Sequence, residues 1–198
     1  MAKTTSAYIN DLSFAYFKTY SFQRTGDYEI YAALCDKKAN TDGRLSNEDN
    51  ALFNQLQKSV GHELYSTRIL SHDGKLHYSA EQIAHFMAGS RPSERLIEIM
   101  QTPIEQEMLW LCAPAYRDAI LFYNDENELV SGINICFQCD QIESIDRQKI
   151  KTDYKTFKYL KQLLLELGHK IERPNYFKAD EIEEMAKKAK DKRGISEA

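Results

Sequence analysis

Ala119-Ile120-Leu121-Phe122-Tyr123, the loop Asn124-Asp125-Glu126-Asn127 and the run 129–137 (Leu-Val-Ser-Gly-Ile-Asn-Ile-Cys-Phe) are the stretch on which the fold turns. Residues 120–123 are apolar or aromatic on both faces, where a half-buried strand would alternate, so this segment reads as a central strand covered on both sides. A polar four-residue loop joining it to a second β-rich run predicts an antiparallel hairpin. If Tyr123 faces Glu128 across that loop, the register sets Cys112 opposite Cys139, with Pro114 able to break the ladder because it cannot donate to it. A further strand is expected just before, over 107–112.

Working outward, the run 14–22 is rich in aromatics and Thr and suits a strand. After Thr25-Gly26-Asp27, residues 28–35 give a second β-like run, and the two are expected to pair as a hairpin. Ser46-Asn47-Glu48-Asp49 is a helix start, with Ser46 as the cap, apolar residues Ala51, Leu52, Leu56 and Val60 following at helical spacing, and Gly61 as the stop. His72-Asp73-Gly74-Lys75 predicts a turn. Ser79-Ala80-Glu81-Gln82 repeats the capping pattern and predicts a helix through Ile83, Phe86 and Met87 to Gly89. The run 95–100 is too short for periodicity to choose between helix and strand. Past Asp153, the spacing of Phe157, Leu160, Leu163, Leu164 and Leu167 predicts a helix closed by Gly168. Arg173-Pro174-Asn175 breaks the chain before a last amphipathic helix over about 180–190, and a frayed tail is expected from about 193.

Runs of strands and of helices without regular alternation argue for an α+β fold: an antiparallel sheet with a central hairpin, packed against several helices, with a helical C-terminus. No Pro/Gly/Ser-rich linker divides the 198 residues, so residues 1–198 are expected to form a single domain.

Composition narrows the function classes. The net charge is −4 with no basic stripe, which disfavours nucleic acid as a partner. No run of ~18 consecutive apolar residues is present, so no membrane span is expected. The first residues lack a leader's apolar segment and four cysteines are few for this length, which together point to the cytoplasm and mostly reduced thiols. The sequence contains no His-Glu-x-x-His pair, nucleophile elbow or phosphate-cradling Gly loop.

One constellation rises above this background: Cys112, Cys136 and Cys139, gathered at the open end of the expected hairpin. Cys-x-x-Cys is a usual half-site for zinc, which favours thiolates in a tetrahedral shell. A fourth ligand would have to come from a distant residue, with His62, His72, His77, His85 and His169 as the histidines on offer. Redox chemistry is a weaker fit, because no helix begins at Cys139 to depress a thiol pKa. Buried structural thiols are the plain alternative. The segment Cys112-Ala-Pro114-Ala-Tyr116-Arg117 through Ile135-Cys136-Phe137-Gln138-Cys139 resembles one found in bacterial proteins that carry a Cys, a Pro and an Arg before a strand and then a hairpin ending Ile-Cys-Phe-x-Cys. That group has no assigned activity; the resemblance implies a bacterial source, cytoplasmic or envelope-associated, and no catalytic residues.

Three other features have ordinary readings. Residues 38–49 resemble a calcium loop around Gly43, but Lys38 would occupy the first ligand position, so a surface turn before a capped helix is the better account. Arg117 and Asp118 are adjacent in a strand and point to opposite faces, and each is expected to pair with charges around the sheet edge. The run 187–193 is a basic helix end balanced by acidic residues just before it. The residues therefore favour a non-catalytic protein that binds a protein partner, of the kind that neutralises a toxin. The alternative is a metal- or thiol-dependent protein using Cys112, Cys136 and Cys139; zinc is the one cofactor the pattern suits. An enzyme with a site assembled only in space is the third reading.

Overall fold

A computed structural model describes residues 2–24, 26–61, 63, 67–105 and 113–171. The elements are α1 (Thr5–Asn10), β1 (Tyr16–Ser21), α2 (Asp27–Asn40), α3 (Asn47–Leu56) running into a π-helical turn (Gln57–Gly61), β2 (Glu81–Met87), α4 (Arg91–Met100), β3 (Asp118–Tyr123), β4 (Leu129–Cys136), β5 (Gln141–Ser144), β6 (Lys149–Ile150) and α5 (Tyr154–Glu166). The six strands form one antiparallel sheet in the order β2-β1-β3-β4-β5-β6. The fold is α+β, as its alternation pattern implied.

Strand β3 lies inside the sheet, and Ile120, Leu121 and Phe122 have no exposed surface. Phe17, Ile120, Phe122, Ile133 and Ile135 point to one face, where α1, α4 and α5 cover them with Ile9, Leu96, Met100, Leu160 and Leu164. Tyr20, Leu121 and Cys136 point to the other, beneath Ile69, Tyr116 and Cys139. Gly132 faces Leu121 across the ladder, and a Cβ there would lie 2.5 Å from Leu121 Cδ2 and 2.9 Å from Ile145 Cγ2, so only glycine lets these strands approach.

The hairpin register differs from the sequence expectation. Tyr123 faces Leu129, Phe122 faces Ser131, and Val130 is left over as the bulged residue, so the ladder runs two residues further along β4. The loop explains the start of the shift: Asn124 N–H donates to Glu128 O, Glu128 N–H to Asn124 Oδ1, and Asn127 takes φ +64°. Asn tolerates that left-handed conformation better than most residues.

Two elements expected from local pattern change type. Residues 28–35 lie within helix α2 and do not form a hairpin with β1. Tyr28, Tyr31 and Leu34 recur every third residue and bury against Phe53, Leu56 and Val60 of α3 and its π turn, with Tyr31 stacked on Phe53 at 5.4 Å. Asp27 and Glu29 in its first turn and Lys37 and Lys38 in its last complement the helix dipole. Residues 81–87 form strand β2 in place of the expected helix. Ser79 does not cap: its Oγ accepts the Gln23 N–H at 2.9 Å, which ties the segment beside β1, where β2 satisfies the outer row of backbone groups.

Elsewhere the local signals match. Ser46 Oγ accepts from Asp49 N–H to cap α3, Asp153 caps α5 through Lys155 N–H, and Gly168 closes α5 at φ +101°. The ambiguous run 95–100 belongs to α4, started by a proline in its first turn and buried through Leu96, Ile99 and Met100. Residues 38–49 span the end of α2, the turn 41–46 and the start of α3, where Lys37 Nζ meets Asp49 Oδ2 at 2.5 Å. The strand expected over 107–112, the helix expected over 180–190 and the tail from about 193 lie outside the described residues. Among the described residues no helix is long and apolar enough to cross a membrane.

Candidate functional site

The open end of the β3–β4 hairpin brings together the two features singled out from sequence, the cysteines and the Arg117-Asp118 pair. Cys136 ends β4, and the four-residue turn 137–140 carries Cys139 back beside it in one apolar cluster with Tyr116 and Ile69. Burial is the largest influence on Cys136, which is 1% exposed, and it pushes the thiol above its ordinary value. The backbone N–H groups of Cys139, Ala115 and Gln138 and the charge of Arg117 act in the opposite direction without overcoming it. Cys136 is a free thiol, whereas Cys139 is disulfide-bonded. Mostly reduced thiols were expected, and Cys139 is an exception. Cys112 lies outside the described residues.

Cys35 belongs elsewhere. It is a free thiol on α2, hydrogen-bonded with Tyr31, whose hydroxyl is pushed up to about 12 by burial first and by Cys35 second. Among the described residues no group of three or more His, Cys, Asp or Glu is placed to hold a metal ion. A disulfide sulfur is not a thiolate, so the oxidised hairpin does not present zinc with the ligand set the sequence pattern suggests.

Asp140 follows Cys139 at φ +42°. Burial raises its carboxyl to about 6, partly offset by the nearby Lys161.

Arg117 and Asp118 do point to opposite faces, and Asp118 pairs inside the fold and not at a sheet edge. β3 is an interior strand, and the two residues are 4% and 1% exposed. Arg117 bears on the Cys136 sulfur side. Asp118 sits under the helix-covered face, where its carboxylate accepts from Arg24 Nη1 at 3.0 Å and from Nη2 at 2.7 Å. Arg24 Nη1 also donates to Ser21 Oγ at 2.8 Å and to the Arg117 carbonyl. His169, just past the Gly168 stop of α5, donates from Nδ1 to Asp118 Oδ1 at 2.7 Å, since a carboxylate only accepts. Its Nε2 faces the Thr19 hydroxyl at 2.9 Å. Of the histidines considered for the cysteines, His169 therefore folds back onto the carboxylate, His77 bonds Ser79, and His85 packs on Tyr16 at the outer strand.

Carboxylate, imidazole and hydroxyl in this order have the connectivity of an acyl-transfer triad. Here, however, the Thr19 side chain has no exposed surface, lies in a strand paired on both sides, and shares its carboxylate with a bidentate arginine. A substrate carbonyl has no approach to Thr19 in this arrangement. The network instead pins the end of α5 to β1, β3 and the β1–α2 loop. That loop carries strain of its own: Gln23 takes φ +54°, and its buried side-chain amide has no hydrogen-bond partner among the described residues.

Sequence reading passed over Thr19, Gln23 and Arg24, and named His169 only as a distant histidine for the cysteines. The one local hint was His169 directly after a helix-closing glycine.

Compared with known proteins, the chain matches no family model, no curated protein and no solved structure.

Proposed function

We propose that this chain is a non-catalytic protein that binds a protein partner, as a toxin-neutralising immunity protein does. The observation that carries the reading is Tyr78. Its ring is 76% exposed, yet it is held in place: the hydroxyl bonds Tyr28 Oη and donates to Glu63 Oε2 at 3.1 Å, and His77 stacks on the ring at 4.5 Å. A large amphipathic side chain, fixed in advance and open to solvent, is what interface anchors are made of, because little entropy is lost when a partner covers it. Leu76, 45% exposed, stands two residues away.

The charge balance adds to this. A net charge of −4 suits a partner with a basic cleft through complementarity and steering, and it suits nucleic acid poorly. The inward-facing Thr19–His169–Asp118 network supports the non-catalytic side of the reading. The expected compartment is the cytoplasm; the Cys139 disulfide pulls towards an oxidising one, and cell fractionation decides between them.

Affinity capture from native lysate of the source cells is expected to recover one protein in stoichiometric amount with the wild-type chain, and to lose at least nine-tenths of it with Tyr78→Ala. Recovery of no stoichiometric partner by the wild type sinks the reading. Equal recovery by Tyr78→Ala sinks this surface as its basis.

One observation favours the second reading, a thiol- or zinc-dependent protein using Cys112, Cys136 and Cys139: a disulfide-bonded cysteine stands three residues from a free thiol in the same cluster. Alkylation in denaturant without reductant, read by intact mass, is expected to label two thiols, Cys35 and Cys136, against all four cysteines after reduction. One equivalent of zinc retained by the reduced protein and lost on changing the three cysteines to Ser would bring this reading forward; none would leave those residues as core and crosslink.

A further inference from the structure

Ile69 anchors the segment 67–80 to the sheet face opposite α4 and α5, and its N–H donates to Asn134 Oδ1 at 2.8 Å. Beside this anchor is a hollow of about 170 Å³ lined by Thr67, Arg68, Leu70, Ser71, His77 and Arg147. The polar side chains in that lining are hydroxyls or basic nitrogens, and no carboxylate is among them.

Each donor is set by its surroundings. Glu143, outside the lining, grips Arg68 through Nε and through Nη2 at 3.1 Å, and Tyr116 donates to the same carboxylate at 3.1 Å. The Arg68 guanidinium is thus fixed in orientation. His77 accepts from the Ser79 N–H at Nδ1, 3.2 Å away, so the ring proton sits on Nε2. Burial lowers the His77 pKa despite Glu63 acting the other way, which keeps the ring neutral, with its one N–H, at neutral pH.

Arg147 is the least expected member. It occupies φ +62° in the turn that joins β5 to β6, closed by its own N–H to the Ser144 carbonyl at 2.9 Å. Glycine would hold that conformation without strain, whereas an arginine there is strained. Its guanidinium makes no ion pair or hydrogen bond among the described residues. The turn thus carries a guanidinium without an ion pair among the described residues to the rim of a hollow that already offers donors.

We propose that this hollow binds a phosphate group, with Arg147, Arg68, the His77 Nε2–H and the Thr67 hydroxyl as its donors. The volume admits a phosphate or a small phosphomonoester and is below that of pockets which enclose larger ligands, roughly 300 Å³ and upward. Arginine suits such an oxyanion because its planar fork pairs with two oxygens at once. The inference does not rest on the partner-binding reading.

The test is a titration of the full chain, ¹⁵N-labelled, with inorganic phosphate against chloride at matched ionic strength, and in a second arm with O-phospho-L-serine. Saturable shifts at the Arg147 and His77 side chains are expected, with a dissociation constant in the millimolar range or tighter. Arg147→Gly is expected to weaken binding at least tenfold while leaving the melting temperature in chloride unchanged or raised, because glycine relieves the turn. Thr67→Val should weaken it as well without moving the fold. No saturable response in the wild type, or a loss of less than tenfold in Arg147→Gly, overturns the site. Where binding is found, phosphoserine at least tenfold tighter than phosphate identifies a phosphorylated side chain as the ligand; otherwise the ligand is the free anion.

Discussion

Replacing Asp118 by Ala is expected to cost about 3–5 kcal/mol of folding stability, the usual penalty for removing one partner of a buried ion pair. The Arg24 and Asp118 side chains are 6% and 1% exposed, so water cannot take the place of the lost carboxylate. The guanidinium would lose two hydrogen bonds at once, and His169 would lose the acceptor that orients its ring. Against a total stability of about 5–15 kcal/mol, a loss of that size leaves a marginal protein. Urea unfolding measures it, as a lower midpoint with an unchanged slope. The double variant Arg24→Met, Asp118→Leu is expected to recover most of the loss, because no stranded charge remains. A loss under about 1 kcal/mol for Asp118→Ala would mean the network is not what pins the end of α5.

Asp140→Asn is expected to stabilise the protein at pH 7 by about 2 kcal/mol and to flatten its stability profile between pH 4 and 6. The sign follows from the direction of the shift. Burial raises the Asp140 carboxyl from its ordinary 3.8 to about 6. Below pH 4 the group is protonated whether the chain is folded or not, and it imposes no cost. Between 4 and 6 the unfolded chain gives up the proton while the folded one keeps it, so stability falls as pH rises. Above 6 the folded protein holds a poorly solvated carboxylate and bears the full cost, which Lys161 only partly offsets. Asn fits the same φ of +42° and has no charge to lose. The check is the urea midpoint of both proteins at pH 4, 5, 6 and 7; parallel profiles would show that Asp140 is not ionising in that window.

Some of this architecture could be read directly from the residues. The double-sided apolar run 120–123 can be covered only inside a sheet, whatever surrounds it, and β3 is interior. Ser46 with Asp49, Asp153 before the leucine-rich run and Gly168 after it are local signals, because a cap acts on backbone groups two or three residues away. Cys136 and Cys139 at the hairpin's open end followed from strand and loop lengths, although the loop and the bulged Val130 together moved the register by two residues.

What local pattern could not supply was decided by contacts between distant parts of the chain. Tyr28, Tyr31 and Leu34 have side chains common in strands, and they became a helix face because α3 presents Phe53, Leu56 and Val60 to match them. The Ser79 capping pattern was overridden because β1 needed a partner along its outer edge and Gln23 claimed the serine oxygen. The polar centre was invisible for the same reason. Arg24 lies 94 residues from Asp118, His169 lies 51 from it, and Thr19 lies 150 from His169. Caps, turns and apolar periodicity act over a few residues, so the chain alone determined the central strand, the bounds of α5 and the start of α3. Burial of a charge is settled only when remote segments close over it, and that left the Arg24–Asp118–His169 network, the state of the cysteines and the cationic hollow to the tertiary structure.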